Sequence, residues 1–154
     1  MLARAFRRMR LRVPMVTWLV GSSFPEFGKA LGPLAEGMTG NTAWKPLLRT
    51  PGNLEFVTAY RRRWGTIPDT HGAQGYAAGQ IIGEAVRQAG SLARAAVRDA
   101  LFRLDTRTVF GRFRVNAHGL QIGKVNAIVQ WQRGHRQVVW PPWLVTAPLR
   151  YPGW

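Results

Sequence analysis

Three histidines, His71, His118 and His135, are the side chains best suited to acid–base or metal chemistry in this sequence. Each falls in a predicted turn or loop. None has another histidine or a carboxylate at metal-ligand spacing, so no metal site is expected. The chain has no cysteine, which removes disulfides and zinc-finger spacings. No serine stands in a nucleophile-elbow pattern. Gly72, Gly75, Gly79 and Gly83 lie inside or just before a helical stretch with no strand leading into it, so the dinucleotide fingerprint fails. Only seven acids are present, which leaves few acid/base pairs. Asp99 and Asp105 flank a predicted helix end and read as solvated. The residue types point away from an enzyme, and no cofactor is expected.

Binding chemistry has more material. The run "VNAIVQWQRGHRQVVWPP" (125–142) mixes tryptophan with basic residues and holds no acid. The whole chain of 154 residues carries 22 Lys+Arg against seven Asp+Glu, a net charge of +15. Such a charge suits nucleic acid or an anionic surface, although arginine-rich coding also produces it. A stacking groove needs rings and arginines on one face. In "VFGRFRV" (109–115) the period of two puts Val109, Phe113 and Val115 on one side and Arg112 and Arg114 on the other. Arg61, Arg62 and Arg63 are consecutive on a helix and fan out instead of forming a stripe. A small basic nucleic-acid-binding protein is therefore the alternative reading, and no nucleic acid is expected as partner.

Residues 3–10 read as a short basic helix, within a basic stretch that carries apolar residues at Leu2, Phe6, Met9 and Leu11. Together with "VPMVTWLVG" it superficially resembles a signal peptide, but the long basic part and Pro14 fit a helix, loop and strand as well. No apolar run approaches the ~20 residues of a membrane-spanning helix. "VPMVTW" (13–18) reads as a buried strand. Ser23, Pro25 and Glu26 form a capping box for a short helix ended by Gly32-Pro33. Residues 35–44 read as a strand or extended crossover. A helix is predicted over 53–64, with Phe56, Val57, Tyr60 and Trp64 on one face, and a long one over 73–90. In the latter, Gly75, Gly79 and Gly83 recur every four residues and imply close packing against another backbone. Ser91 is expected to cap a third helix with a stripe of Ala93, Val97, Ala100, Leu101 and Leu104. Val125, Ala127, Val129 and Trp131 share one strand face, with Val125, Val129 and Trp131 expected in the core, and Arg133 and Arg136 flank a solvent turn before a second strand.

The order of these elements and several landmarks resemble the C-terminal part of the type I periplasmic binding proteins that serve branched-chain amino-acid ABC transporters. The landmarks are "LAEGM" (34–38), Phe56-x-x-Ala59-Tyr60 through Arg63, Gly65 and Pro68, "YAAGQ" (76–80), Ala85 through "AGS" (89–91), Thr108-x-Phe110-Gly111, Gly119-x-Gln121-x-Gly123-Lys124 leading to Gln130-Trp131, and "VVWPP" (138–142). The resemblance implies an α/β fold, a partial periplasmic-binding-protein-like I fold of two Rossmann-like lobes with hinge crossovers, its N-terminal half missing. Residues 1–38 would belong to the C-terminal lobe, 39–124 to the N-terminal lobe, and 125–148 to the return crossover, with 149–154 a tail. An amino acid or related small carboxylate would be held between the lobes, and the permease of the transporter would be the protein partner of the full-length family. A monomer is implied. So is a periplasmic location, although the chain itself shows no convincing signal peptide and a fragment could stay in the cytoplasm.

Two ligand-contacting regions follow from the resemblance. One is the loop Val20 to Ser23, with Val20, Ser22 and Ser23 as candidates. The N-terminus of the following helix, capped by Ser23, would offer free backbone N–H groups to a polar or anionic ligand group. No acid precedes Glu26 in this loop, which departs from binders that use a carboxylate for the ligand's ammonium. The other region is the turn before the long helix, where His71 would line the cleft.

Overall fold

The computed structural model describes residues 2–10, 13–46 and 48–151, so Leu11 and the end of the predicted tail lie outside the described residues. The chain divides into two compact units. The first combines Met1–Thr42 with Asn126–Trp154, and the second is Ala43–Val125.

The first unit is built on a three-stranded antiparallel sheet in the order β1 (Thr39–Thr42), β4 (Ala127–Gln132), β5 (His135–Trp140). Thr39 faces Gln130 and Thr42 faces Ala127 across the first pair. Arg133 and Gly134 turn β4 into β5 with φ of 54° and 75°, the left-handed pair that a two-residue hairpin of the right twist needs. α1 (Leu2–Arg8) and α2 (Pro25–Leu31) complete the unit. An aromatic chain joins them to the sheet: Phe6 meets Trp18 at 6.1 Å, Trp18 meets Phe27 at 6.5 Å, and Phe27 stacks on Trp131 at 6.2 Å.

The expected strand at 13–18 is reduced to a single parallel bridge between Thr17 and Thr39. Pro14 brings no N–H to a ladder, and Leu19 turns the chain away with φ of 40°. β4 also departs from simple alternation. Val129 and Trp131 are in the core as predicted, but Gln130 and Gln132 on the other face are buried as well, and Val125 is exposed. The two amides are satisfied internally. Gln130 donates to the carbonyls of Gly37 and Arg150 and accepts from Arg150 N–H, and Gln132 donates to Pro148. The chain beyond β5 is thus strapped over a polar sheet face. Arg133 is exposed as expected, whereas Arg136 is half-buried. Burial holds Arg136 below its ordinary pKa, with the nearby Glu26 acting against that shift.

The second unit holds α3 (Asn53–Trp64), α4 (Thr70–Ala89), α5 (Arg94–Arg103) and the hairpin β2 (Asp105–Thr108)–β3 (Gly111–Arg114). One core cluster joins Trp44, Phe56, Ala73, Ala77 and Val109, and another joins Ala85, Ala100 and Leu104. Buried Asn53 holds the entry to α3. Its Oδ1 accepts the Trp44 indole N–H at 2.9 Å, and its Nδ2 donates to the carbonyls of Pro46 and Leu48.

Several expectations are corrected here. α4 begins at Thr70, not 73, because Asp69 caps it by accepting Gly72 N–H at 2.8 Å. The face of α4 that packs is the alanine face; a Cβ added at Gly75, Gly79 or Gly83 meets nothing within 4 Å. Trp64 is exposed, lying past the end of the α3 core stripe. Ser91 accepts Ala93 N–H at 3.0 Å, a turn one residue short of α5, whose own N-cap is the exposed Ala93. Val109 lies in the turn between two strands, not within one, while β3 keeps the predicted alternation, with Arg112 and Arg114 exposed and Phe113 partly covered. Asp105 is paired with Arg112, at 2.7 Å from Asp105 Oδ1 to the guanidinium Nε, which holds its carboxyl below the usual range.

Candidate functional site

The loop between Trp18 and α2 is welded to β1. Asn41 N–H donates to Leu19 O at 3.1 Å, and Trp18 N–H donates to Thr39 O at 2.9 Å. Ser22 is fully buried, and its hydroxyl donates to Thr39 O at 2.9 Å. The Ser23 hydroxyl donates to Asn41 O. Gly40 makes this approach possible, since a Cβ there would overlap Ser22 Oγ and Leu19 O. From the other side the Trp131 indole N–H donates to Ser22 O at 2.8 Å. Gly28 leaves room for that ring, because a Cβ on it would overlap the ring carbons of Trp131.

This geometry revises the roles read for the serines. Ser23 is no helix cap, and no capping box with Glu26 forms; α2 is preceded by Phe24 with no side-chain cap. Nor is a cradle of free N–H groups built there. α2 has seven residues, Pro25 at its start brings no N–H, and Phe27 N–H is bonded to Phe24 O at 3.2 Å. Ser22 and Ser23 spend their hydroxyls on the fold and fix the loop's shape. Val20, 46% exposed, is the member of the set with side-chain surface to offer. Two polar atoms of the same unit, Trp18 Nε1 and Asn41 Oδ1, are buried without a protein partner, and water commonly serves such atoms.

His71 lies in the second unit, in the first turn of α4 and not in a turn before it. Its side chain is exposed, with Nδ1 at 3.9 Å from Asp69 Oδ2. Val20, Ser22 and Ser23 lie in the first unit, and His71 belongs to the second. Gly40 and Trp131 are the shaping residues that the candidate set omitted. A lone glycine inside a strand was the available signal for Gly40, since it marks close backbone approach. Nothing comparable pointed from Trp131 to Ser22, 109 residues apart. The described residues contain no cluster of three or more His, Cys, Asp or Glu able to hold a metal, and no helix among them is long and apolar enough to cross a membrane.

Comparison with known proteins defines the class. Residues 2–136 match the periplasmic binding protein family, and the chain belongs to it. A curated relative from Brucella suis biovar 1 (strain 1330), Leu/Ile/Val-binding protein homolog 7, is 30% identical over 110 residues, covering 67% of this chain and 27% of its own length. A structure from Rhodospirillum rubrum assigned to branched-chain amino acid ABC transport is 30% identical, with a TM-score of 0.71 over 89% of this chain and 40% of its own. A leucine-binding protein from Thermotoga maritima shares the fold at 22% identity, with a TM-score of 0.73 over 89% of this chain and 39% of its own. The fold is therefore that of part of a type I periplasmic binding protein, and the chain spans about a quarter of the curated relative it matches.

Proposed function

We propose that this chain is part of the substrate-binding component of an ABC transporter for amino acids or related small carboxylates, acting in the periplasm and handing its ligand to a membrane permease. The observation that carries this reading is the family match over residues 2–136. Residues 1–38 would lie in the C-terminal lobe and 39–124 in the N-terminal lobe, with 125–148 the return crossover. The two compact units, which divide at Thr42–Ala43 and Val125–Asn126, support a two-lobe division whose first passage falls after β1, at 42–43. In this reading the loop Val20–Ser23 offers Val20 and its backbone to the ligand, Ser22 and Ser23 hold the loop's shape, and His71 is the candidate contact carried by the second unit. The work is binding and release, with no bond made or broken in the ligand.

Titration calorimetry of the chain against leucine, isoleucine, valine, phenylalanine and benzoate tests the reading. With two serine hydroxyls committed to the fold, the chain alone should bind these compounds weakly, and should prefer them to neutral sugars and nucleotides. Low-micromolar binding of a sugar or nucleotide overturns the ligand class. Low-micromolar binding of an amino acid by the chain alone overturns the view that other parts of the family fold share the grip. A gel-shift titration over salt tests the basic-protein alternative, because real phosphate contacts give a steep linear log–log slope.

A further inference from the structure

The Gly119–Lys124 run plays no part in the candidate ligand loop, yet its residues have definite tasks in the fold. Asn116 Oδ1 accepts the N–H groups of His118 and Leu120, at 2.9 and 3.0 Å, and Gly119 turns the chain with φ of 76°. The chain then runs back along β3, where Ile122 N–H donates to Arg114 O at 2.8 Å. The Gln121 side chain completes the contact. Its Oε1 accepts Arg114 N–H at 3.2 Å and Gly123 N–H at 2.7 Å, and its Nε2 donates to Arg112 O at 3.1 Å. Gly123 must be glycine for this approach, because a Cβ would stand 2.9 Å from both Arg112 O and Arg114 N.

Lys124 is thereby delivered to one place. Its stem passes Gly111, where a Cβ would stand 3.0 Å from Lys124 Cδ. Its ammonium donates to the carbonyls of Ala43 and Phe110 and sits 3.6 Å from the centroid of the Phe110 ring. Two carbonyl acceptors and a ring face offset part of the cost of burying this ammonium.

The position in the chain gives this cluster its meaning. The polypeptide passes between the two units at Thr42–Ala43 and at Val125–Asn126. On the first unit the two passages are paired by the β1–β4 ladder, whose last pair is Thr42 with Ala127. On the second unit the Lys124 ammonium reaches from one passage to the carbonyl of the other. We propose that Lys124 is a positioning residue that staples the two inter-unit passages together and to the β2–β3 turn, closing at the second unit the strap that the β1–β4 ladder closes at the first. This inference stands apart from the ligand reading.

Amide hydrogen exchange on the full chain tests it, comparing wild type with Lys124→Met, which keeps the stem and loses the donors, and Lys124→Arg, which keeps charge and donors. In Lys124→Met, exchange should rise tenfold or more in segments 43–53 and 109–126, while 81–101 within α4 and α5 stays within twofold of wild type. Lys124→Arg should restore most of the protection. No local change in Lys124→Met overturns the proposal. So does a rise confined to 109–114 with 43–53 unchanged, since Lys124 would then serve the hairpin alone. If Lys124→Met loses protection everywhere, Lys124→Gln, which keeps a donor, must show the graded local pattern; uniform loss there also overturns it.

Discussion

Alanine in place of glycine should act differently at Gly79 of α4 and at Gly28 of α2. Inside a helix the exchange normally stabilises by ~1 kcal/mol, because glycine gives up more backbone freedom on folding. At Gly75, Gly79 and Gly83 of α4 the new Cβ meets nothing within 4 Å, so Gly79→Ala should deliver that gain nearly whole. At Gly28 of α2 the same Cβ overlaps the Trp131 ring. That ring is 6% exposed, tied to Ser22 O at 2.8 Å and stacked on Phe27 at 6.2 Å, so it has little room to swing away. Overpacking of this kind costs ~1–3 kcal/mol, which matches or exceeds the helix gain. The two variants should therefore differ by ~1–3 kcal/mol. At ~2–4 °C of Tm per kcal/mol for a chain of this length, thermal melts followed by circular dichroism resolve the difference. A lower Tm for Gly79→Ala would show that the open face of α4 is covered in solution. A higher Tm for Gly28→Ala would refute the packing of Trp131 on α2.

Other expectations follow from the same contacts. Asn53→Ala removes three hydrogen bonds and leaves the Trp44 indole N–H buried without its acceptor, which should cost ~2–4 kcal/mol in urea unfolding. Gly40→Ala should displace the Leu19–Ser23 loop from β1, seen as lost amide protection at Asn41, whose N–H is bonded to Leu19 O. Burial lowers the Lys124 pKa from 10.5 to about 8. The unfolded chain then binds the extra proton between those values, so stability from this site rises with pH across that window. The ammonium meets two carbonyls and a ring; the charged residues on the hairpin beside it are Asp105, Arg107, Arg112 and Arg114, with Asp105 committed to Arg112, and Lys45 stands two residues after Ala43. Relative to Lys124→Met, the wild-type Tm should climb between pH 8 and 10; a parallel pair of curves refutes it.

Local signals in the sequence located most elements. The apolar spacing and closing glycine of α3 set its bounds at 53 and 64. The alternation of β3 and the Arg133–Gly134 turn were also legible, since both rest on neighbours in the chain. What escaped was set by distant partners. Gln130 and Gln132 are buried with partners that the chain at 148–150 supplies, 20 and 16 residues away, which strand alternation does not foretell. Ser23 has the local pattern of a helix cap, but Asn41 O competes for its hydroxyl and wins. The glycine row of α4 has the spacing of a packing seam, and spacing alone does not say whether anything lies against it. For the candidate site, the loop was found through the family resemblance, and its construction from Gly40, Ser22 and Trp131 came only with the fold.

If this chain carries part of the ligand grip proposed above, it should supply that part within a homologous scaffold. The most direct measurement grafts it in place of the matching stretch of the Rhodospirillum rubrum relative, 40% of that chain, and titrates the folded hybrid by calorimetry with branched-chain amino acids and small carboxylates. Saturable micromolar binding is expected, weakening tenfold or more, ~1.4 kcal/mol, in His71→Ala. A folded, monodisperse hybrid that binds none of these ligands would contradict the proposed grip.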